Sequence, residues 1–134
     1  MTLNLADYRD GVFVTDGACG TQLQQRGLPA GACPELWNVE NPRAVEDVAR
    51  AYIAAGSDVI LTNTFGANTP ALARHGLADR LAELAEAGVA IGHRAAAGSD
   101  VKVFASMGPT GKILMMDEAA ADELYASFTA AAKA

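Results

Sequence analysis

Cysteine is scarce in this sequence: Cys19 and Cys33 are its two examples in 134 residues. So sparse a supply makes neither a disulfide framework nor a paired Cys-x-x-Cys metal knuckle. Basic residues are also few, ten Lys and Arg against sixteen Asp and Glu, for a net charge of −6. No Lys/Arg cluster interrupts that balance, which argues against a nucleic-acid partner. No apolar run approaches the roughly 20 residues a membrane helix needs. The first residues show neither the basic start nor the apolar stretch of a secretory signal. What is present is globular composition, 51% hydrophobic and 19% charged, enough for one domain with a core. The expectation is a cytoplasmic protein without a membrane partner.

A short internal repeat organises the chain. AAGSDV at 54–59 returns at 96–101, each time closing an Ala-rich helical stretch and opening a short apolar run. Gly56 and Gly98 suit the left-handed residue that ends a helix, and the Val-rich run that follows reads as a buried strand. A helix-to-strand joint used twice is what a βα-repeat fold requires. Strands are predicted at 12–16, 58–63 and 101–106, parallel because helices separate them. Asn41 before Pro42 reads as a helix start, with Val45, Val48, Ala49, Tyr52 and Ile53 on one buried face. Thr69 and Pro70 repeat that cap chemistry. The helical region after them is expected to break near Gly76, with Leu81, Leu84 and Ala85 facing inward beyond it. Asp117 and Glu118 are predicted to begin a last helix, 119–133, where acids favour the N-terminal dipole.

The loops after the three predicted strands are polar and Gly-rich, at 16–21, 62–68 and 106–111. In parallel α/β folds the ligand lies at that end of the sheet. Gly17 and Gly20 do not match Gly-x-Gly-x-x-Gly, and no phosphate-binding Gly-x-x-x-x-Gly-Lys-Ser/Thr occurs, which disfavours a nucleotide site. A tight turn explains the glycines but not Asp16, a carboxylate ending an apolar strand. Such a charge is costly unless paired, and a ligand ammonium group is a suitable partner. Asn63, Thr64 and Asn68 around Phe65 fit either local loop chemistry or hydrogen bonding to a small ligand with Phe65 as an apolar wall. The stretch 108–111 reads as a plain turn. Cys19 and Cys33, without partners at ligand spacing, read as packed residues. His75 and His93 read as helix-surface positions, and Trp37 as a packing anchor.

Four motifs then occur in order: Asp16-Gly17-Ala18-x-Gly20-Thr21, PELWN at 34–38, AGSDVILTNTFGAN at 55–68 and GPTG at 108–111. Together they resemble the homocysteine S-methyltransferase family. That family includes the homocysteine-binding module of cobalamin-dependent methionine synthase and betaine–homocysteine methyltransferase. The resemblance implies a (β/α)₈ TIM barrel in which zinc lowers the pKa of the homocysteine thiol, making the attacking thiolate available. The methyl donor would be betaine, S-methylmethionine or methylcobalamin, the last carried by a partner domain. Carried over by position, the homocysteine-binding residues are Asp16, Gly17, Asn63 and Phe65, with Thr64 and Gly66 beside them. The family's zinc ligands are three cysteines late in the barrel. Neither Cys19 nor Cys33 matches those positions, so no metal ligand and no catalytic residue is assigned.

The fold expected is therefore α/β: about three βα units from the N-terminal part of a barrel, incomplete. Residues 1–134 would form an N-terminal fragment of a homocysteine-binding domain, with no linker or second domain, and inactive alone. Two rival readings follow from the same residues. One is a half-barrel assembly module that self-associates or pairs with a chain supplying the missing C-terminal half. The other is a small doubly wound nucleotide-binding domain, which the missing phosphate fingerprint disfavours.

Overall fold

The computed structural model describes residues 12–112 and 120–134. Six helices and two strands are described: α1 Cys19–Gln25, α2 Trp37–Glu40, α3 Pro42–Ala54, β1 Val59–Leu61, α4 Thr69–Ala73, α5 Leu81–Ala96, β2 Lys102–Phe104 and α6 Ala120–Lys133. Short 3₁₀ turns at Pro34–Leu36 and Ala78–Arg80 lead into α2 and α5. The strands β1 and β2 run parallel, with Val59, Ile60 and Leu61 opposite Lys102, Val103 and Phe104. On the other edge of β1, Thr15 forms a parallel bridge to Val59. The three strand segments thus lie side by side in chain order, the arrangement the repeat predicts. Gly56 and Gly98, at φ of 98° and 81°, end their helices in the left-handed conformation that the joint needs.

The strands are shorter than expected. The segment 12–16 contributes a single bridging residue, because the Val14 N–H is taken by the Asp58 side chain at 2.9 Å instead of by a ladder carbonyl. Val12 is 91% exposed, and Phe13 and Val14 are exposed with it. At the far ends of β1 and β2, side-chain hydroxyls take over from ladder bonds: the Ser106 N–H donates to Thr62 Oγ1 at 3.1 Å.

Helix α3 starts at Pro42, but Asn41 makes no side-chain cap. The cap of α4 is Asn68 and not Thr69. Asn68 is extended, and its Oδ1 accepts the Ala71 N–H at 2.9 Å, which makes Thr69 the first helical residue. The break near Gly76 is present, and Leu81, Leu84 and Ala85 are buried beyond it. Helix α6 begins at Ala120 with Asp122 and Glu123 in its first turn; Asp117 and Glu118 lie outside the described residues. The predicted face of α3 packs inward. Val45 and Val48 join Leu23, Leu28 and Ile91 in one cluster flanked by Trp37 and Tyr52. A second cluster, Ile60 with Ala95 and Ala96, seals α5 against β1 and is flanked by Ala49 and Ile53. No helix of the described residues is long and apolar enough to cross a membrane.

Candidate functional site

A cleft of about 550 Å³ opens at the C-terminal ends of the strand segments, where parallel α/β folds hold ligands. Asp16, Gly17, Asn63, Phe65 and Gly66 all line it. Thr64 does not. Its hydroxyl pairs with Thr62 Oγ1 at 2.6 Å and donates to the Ser106 carbonyl at 2.8 Å, and it lines a separate apolar hollow beside α5 and α6. The chain bends here, with the Thr64 N–H donating to the Thr62 carbonyl at 2.9 Å, and the two hydroxyl bonds hold the Thr64 side chain on the side of that hollow.

Asp16 is the least satisfied group at this end of the molecule. Its Oδ2 accepts the Leu61 N–H at 2.9 Å, while its Oδ1 is buried without a hydrogen-bond partner among the described residues. Burial raises its pKa above the ordinary carboxylate value, against the lowering effect of the Leu61 N–H. A buried acceptor left without a donor is costly. An incoming ligand with N–H groups would remove that cost. Gly17 next to it sits close under α3: a Cβ there would come within 2.9 Å of the Tyr52 hydroxyl, which itself donates to the Ala18 carbonyl at 3.3 Å, so Tyr52 would have to shift.

The opposite wall is organised by two residues that the sequence reading left without roles, Glu35 and Asn38. Glu35 is 4% exposed. Its Oε1 accepts the Gly66 N–H at 2.6 Å and its Oε2 accepts the Cys33 thiol at 3.2 Å. A Cβ on Gly66 would fall 2.9 Å from Glu35 Oε1, so the close approach needs glycine. Asn38 bonds both the backbone and the side chain of Asn63. The signal for both was available: polar residues inside the otherwise apolar PELWN segment, where burial demands a partner. Phe65, by contrast, is 60% exposed and forms an open apolar rim.

Both cysteines line the cleft as packed, protonated thiols. Burial, reinforced by the negative charges of Asp16 and Glu35, pushes Cys19 up to about 11. Burial and the hydrogen bond to Glu35 push Cys33 up to about 11. Cys19 donates to Asn63 Oδ1 at 3.6 Å. A metal ligand must be thiolate, and these surroundings oppose it. Among the described residues no group of three His, Cys, Asp or Glu is placed to hold a metal ion, so the residues present do not fit the zinc that the resemblance implies. His93 is exposed on α5 as expected. His75 is exposed too, but it stands in the turn after α4 and not on a helix, and it lines the cleft. Helix α4 spans only five residues, so its end stays close to the loop it follows.

The motif order, the cleft and the parallel strand order now meet an independent finding. A family model described as homocysteine S-methyltransferase matches residues 13–134. The chain belongs to that family. Methionine synthase of Mycobacterium tuberculosis is 41% identical over 115 residues, covering 76% of this chain and 10% of that protein. Homocysteine S-methyltransferase 1 of Arabidopsis thaliana is 32% identical over 71 residues, covering 50% of this chain and 21% of that one. Among solved structures, the metallated form of the homocysteine methyltransferase MmuM from Escherichia coli superposes with a TM-score of 0.66. It is 23% identical and covered over 52% of its length by 95% of this chain, a likeness of fold. The chain thus spans about a tenth of the methionine synthase and about half of the solved methyltransferase. Its fold is mixed α/β, matching part of a homocysteine methyltransferase.

Proposed function

We propose that this chain supplies the amino-acid-holding loops of a domain that methylates the thiol of homocysteine to give methionine. In that reaction the homocysteine sulfur, as thiolate, forms a bond to the methyl carbon while the donor's bond to that carbon breaks. The observation that carries the reading is Asp16, whose buried Oδ1 lacks a donor among the described residues, at the edge of a cleft sized for a small molecule. An amino-acid ammonium group provides the missing N–H donors and the compensating charge. Gly17 lets the loop approach α3, Asn63 offers a further polar atom, and Phe65 with Gly66 forms the wall along which an aliphatic thiol chain would lie.

We read the architecture as the N-terminal part of a (β/α)₈ barrel, residues 1–134 lying within one homocysteine-binding domain. Three segments in parallel sequential order and the coverage of half of the solved methyltransferase support that reading. Further strands would join at the open sheet edges. Zinc belongs in this reading to the complete domain, held by residues other than those described, and supplies thiol activation when bound. The donor is betaine, S-methylmethionine or methylcobalamin, and the setting is the cytoplasm.

The test is methyl transfer to L-homocysteine, measured for this chain alone and together with a polypeptide corresponding to the remaining half of the solved methyltransferase. Zinc content is measured in parallel. Turnover and zinc retention are expected in the combination only. Turnover by the isolated chain would overturn the division of labour, and failure of the combination to bind L-homocysteine would overturn the function.

A further inference from the structure

Asn38 does not line the cleft, yet its bonds decide what the cleft presents. It is 3% exposed in α2. Its Nδ2 donates to two backbone carbonyls, Asn63 O at 2.8 Å and Leu84 O at 2.9 Å. Carbonyls only accept, so the atom between them has to be the amide nitrogen, and the orientation of Asn38 is forced. Its Oδ1 is then left to accept the Asn63 Nδ2 at 2.9 Å. Asn63 Nδ2 gives its other proton to the Pro34 carbonyl at 2.8 Å. With both donors committed, Asn63 turns Oδ1 toward Cys19, a neighbour of Asp16 in the cleft lining.

We infer that Asn38 is a positioning residue, fixing the Asn63 side chain with its carbonyl oxygen toward the ligand, so that this end of the cleft takes an ammonium group and refuses a carboxylate. The inference rests on the amino-acid-holding reading above. Two acceptors, Asp16 Oδ1 and Asn63 Oδ1, suit the three donors of an –NH₃⁺ group. A carboxylate placed there would meet only lone pairs and a like charge. Flipping the Asn63 amide would set its oxygen against the Pro34 carbonyl and Asn38 Oδ1, three acceptors with no proton among them. Space is also controlled: a Cβ on Gly88 would lie 2.7 Å from Asn38 Nδ2, so α5 leaves room for the amide through a glycine.

The first measurement needs no ligand. Side-chain amide hydrogen exchange by NMR should show Asn63 Nδ2 protons protected in the wild-type chain. In Asn38→Ala they should exchange at least about tenfold faster, with backbone protection at Ile60 retained. Unprotected Asn63 protons in the wild type would overturn the inference, whether or not the variant folds. The second measurement compares dissociation constants for 3-mercaptopropylamine, which keeps the thiol and amine of homocysteine, and 4-mercaptobutanoate, which keeps the thiol and carboxylate. The wild type should favour the amine by about tenfold, and Asn38→Ala should reduce that ratio to within about threefold. Loss of folded protein scales both constants alike and leaves the ratio untouched, so a merely structural Asn38 would not move it. An unchanged ratio, or a preference for the carboxylate, overturns the inference while leaving homocysteine binding intact. Absence of binding by L-homocysteine and both analogues, to this chain and to its combination with the remaining half alike, overturns the functional reading together with the ammonium assignment, whereas protected Asn63 protons would still establish the clamp.

Discussion

The two sides of the cleft are held in contrasting ways. Asp16 stands on a segment attached to the sheet by one bridging residue and a few backbone bonds, with exposed Val12, Phe13 and Val14 leading into it. Asn63, Phe65 and Gly66 stand on a loop tied by Glu35, Asn38, Thr62 and Asn68, all of them buried. One side carries an unsatisfied charge on weakly fixed backbone, and the other carries satisfied groups on over-determined backbone. Local stability follows buried apolar contact and bonded backbone, so the second side should act as the rigid template and the first as the adaptable one.

Truncating the apolar residues beneath each side tests that contrast most forcefully. Ile60, fully buried in β1, should cost about 3 kcal/mol when changed to alanine. Val14→Ala, at a half-exposed position, should stay within about 0.5 kcal/mol. Urea denaturation of both variants reads the difference, and equal losses would break the comparison. Gly66→Ala comes next. Its new methyl would press on Glu35 Oε1 and Oε2, and overpacking of this kind costs about 1–3 kcal/mol, with weakened L-homocysteine binding by calorimetry. A neutral Gly66→Ala would mean that the Glu35 wall yields. Asn68→Ala should lose about 1 kcal/mol through the α4 cap, visible as a lower thermal midpoint; retention of the midpoint would show that Asn68 is not the cap that matters.

What the sequence made legible follows the same division. The repeated helix-to-strand joint was readable because Gly56 and Gly98 need a backbone conformation that other residues avoid. The parallel order and the cleft position followed from it. The rigid wall was less legible. Glu35 and Asn38 sit in a motif with no periodic pattern, and which carbonyl or N–H they reach depends on residues 25 to 46 positions away. The length of the first strand was overestimated because Val12, Phe13 and Val14 have strand propensity, and propensity is overruled where a side chain, here Asp58, takes the N–H. Thr69 lost the cap to Asn68 for a comparable reason: both residue types cap well, and only the extended backbone at Asn68 selects between them.

The smallest expected effect concerns the adaptable side, where Asp16 should cost the unliganded chain stability. Burial raises its folded-state pKa, so the folded chain binds a proton more tightly than the unfolded chain does. Between the ordinary carboxylate value and the raised one, the folded state therefore carries more protons, and stability falls as pH rises through that window. Asp16→Asn removes the ionisation. The variant should gain on the wild type as pH rises through the window, reaching its best relative stability at neutral pH, and the gap should become constant below the ordinary carboxylate value. Glu46 and Glu83, whose pKa values are lowered by hydrogen bonds from Arg50 and Arg80, shift stability in the opposite direction. They are common to both proteins, so the difference between the two denaturation curves isolates Asp16. A gap independent of pH would mean that Asp16 ionises without penalty, and the unsatisfied oxygen would then no longer argue for a cationic ligand. A gap with the expected slope that closes when L-homocysteine is added would show that the ligand supplies what the folded chain lacks at this carboxylate.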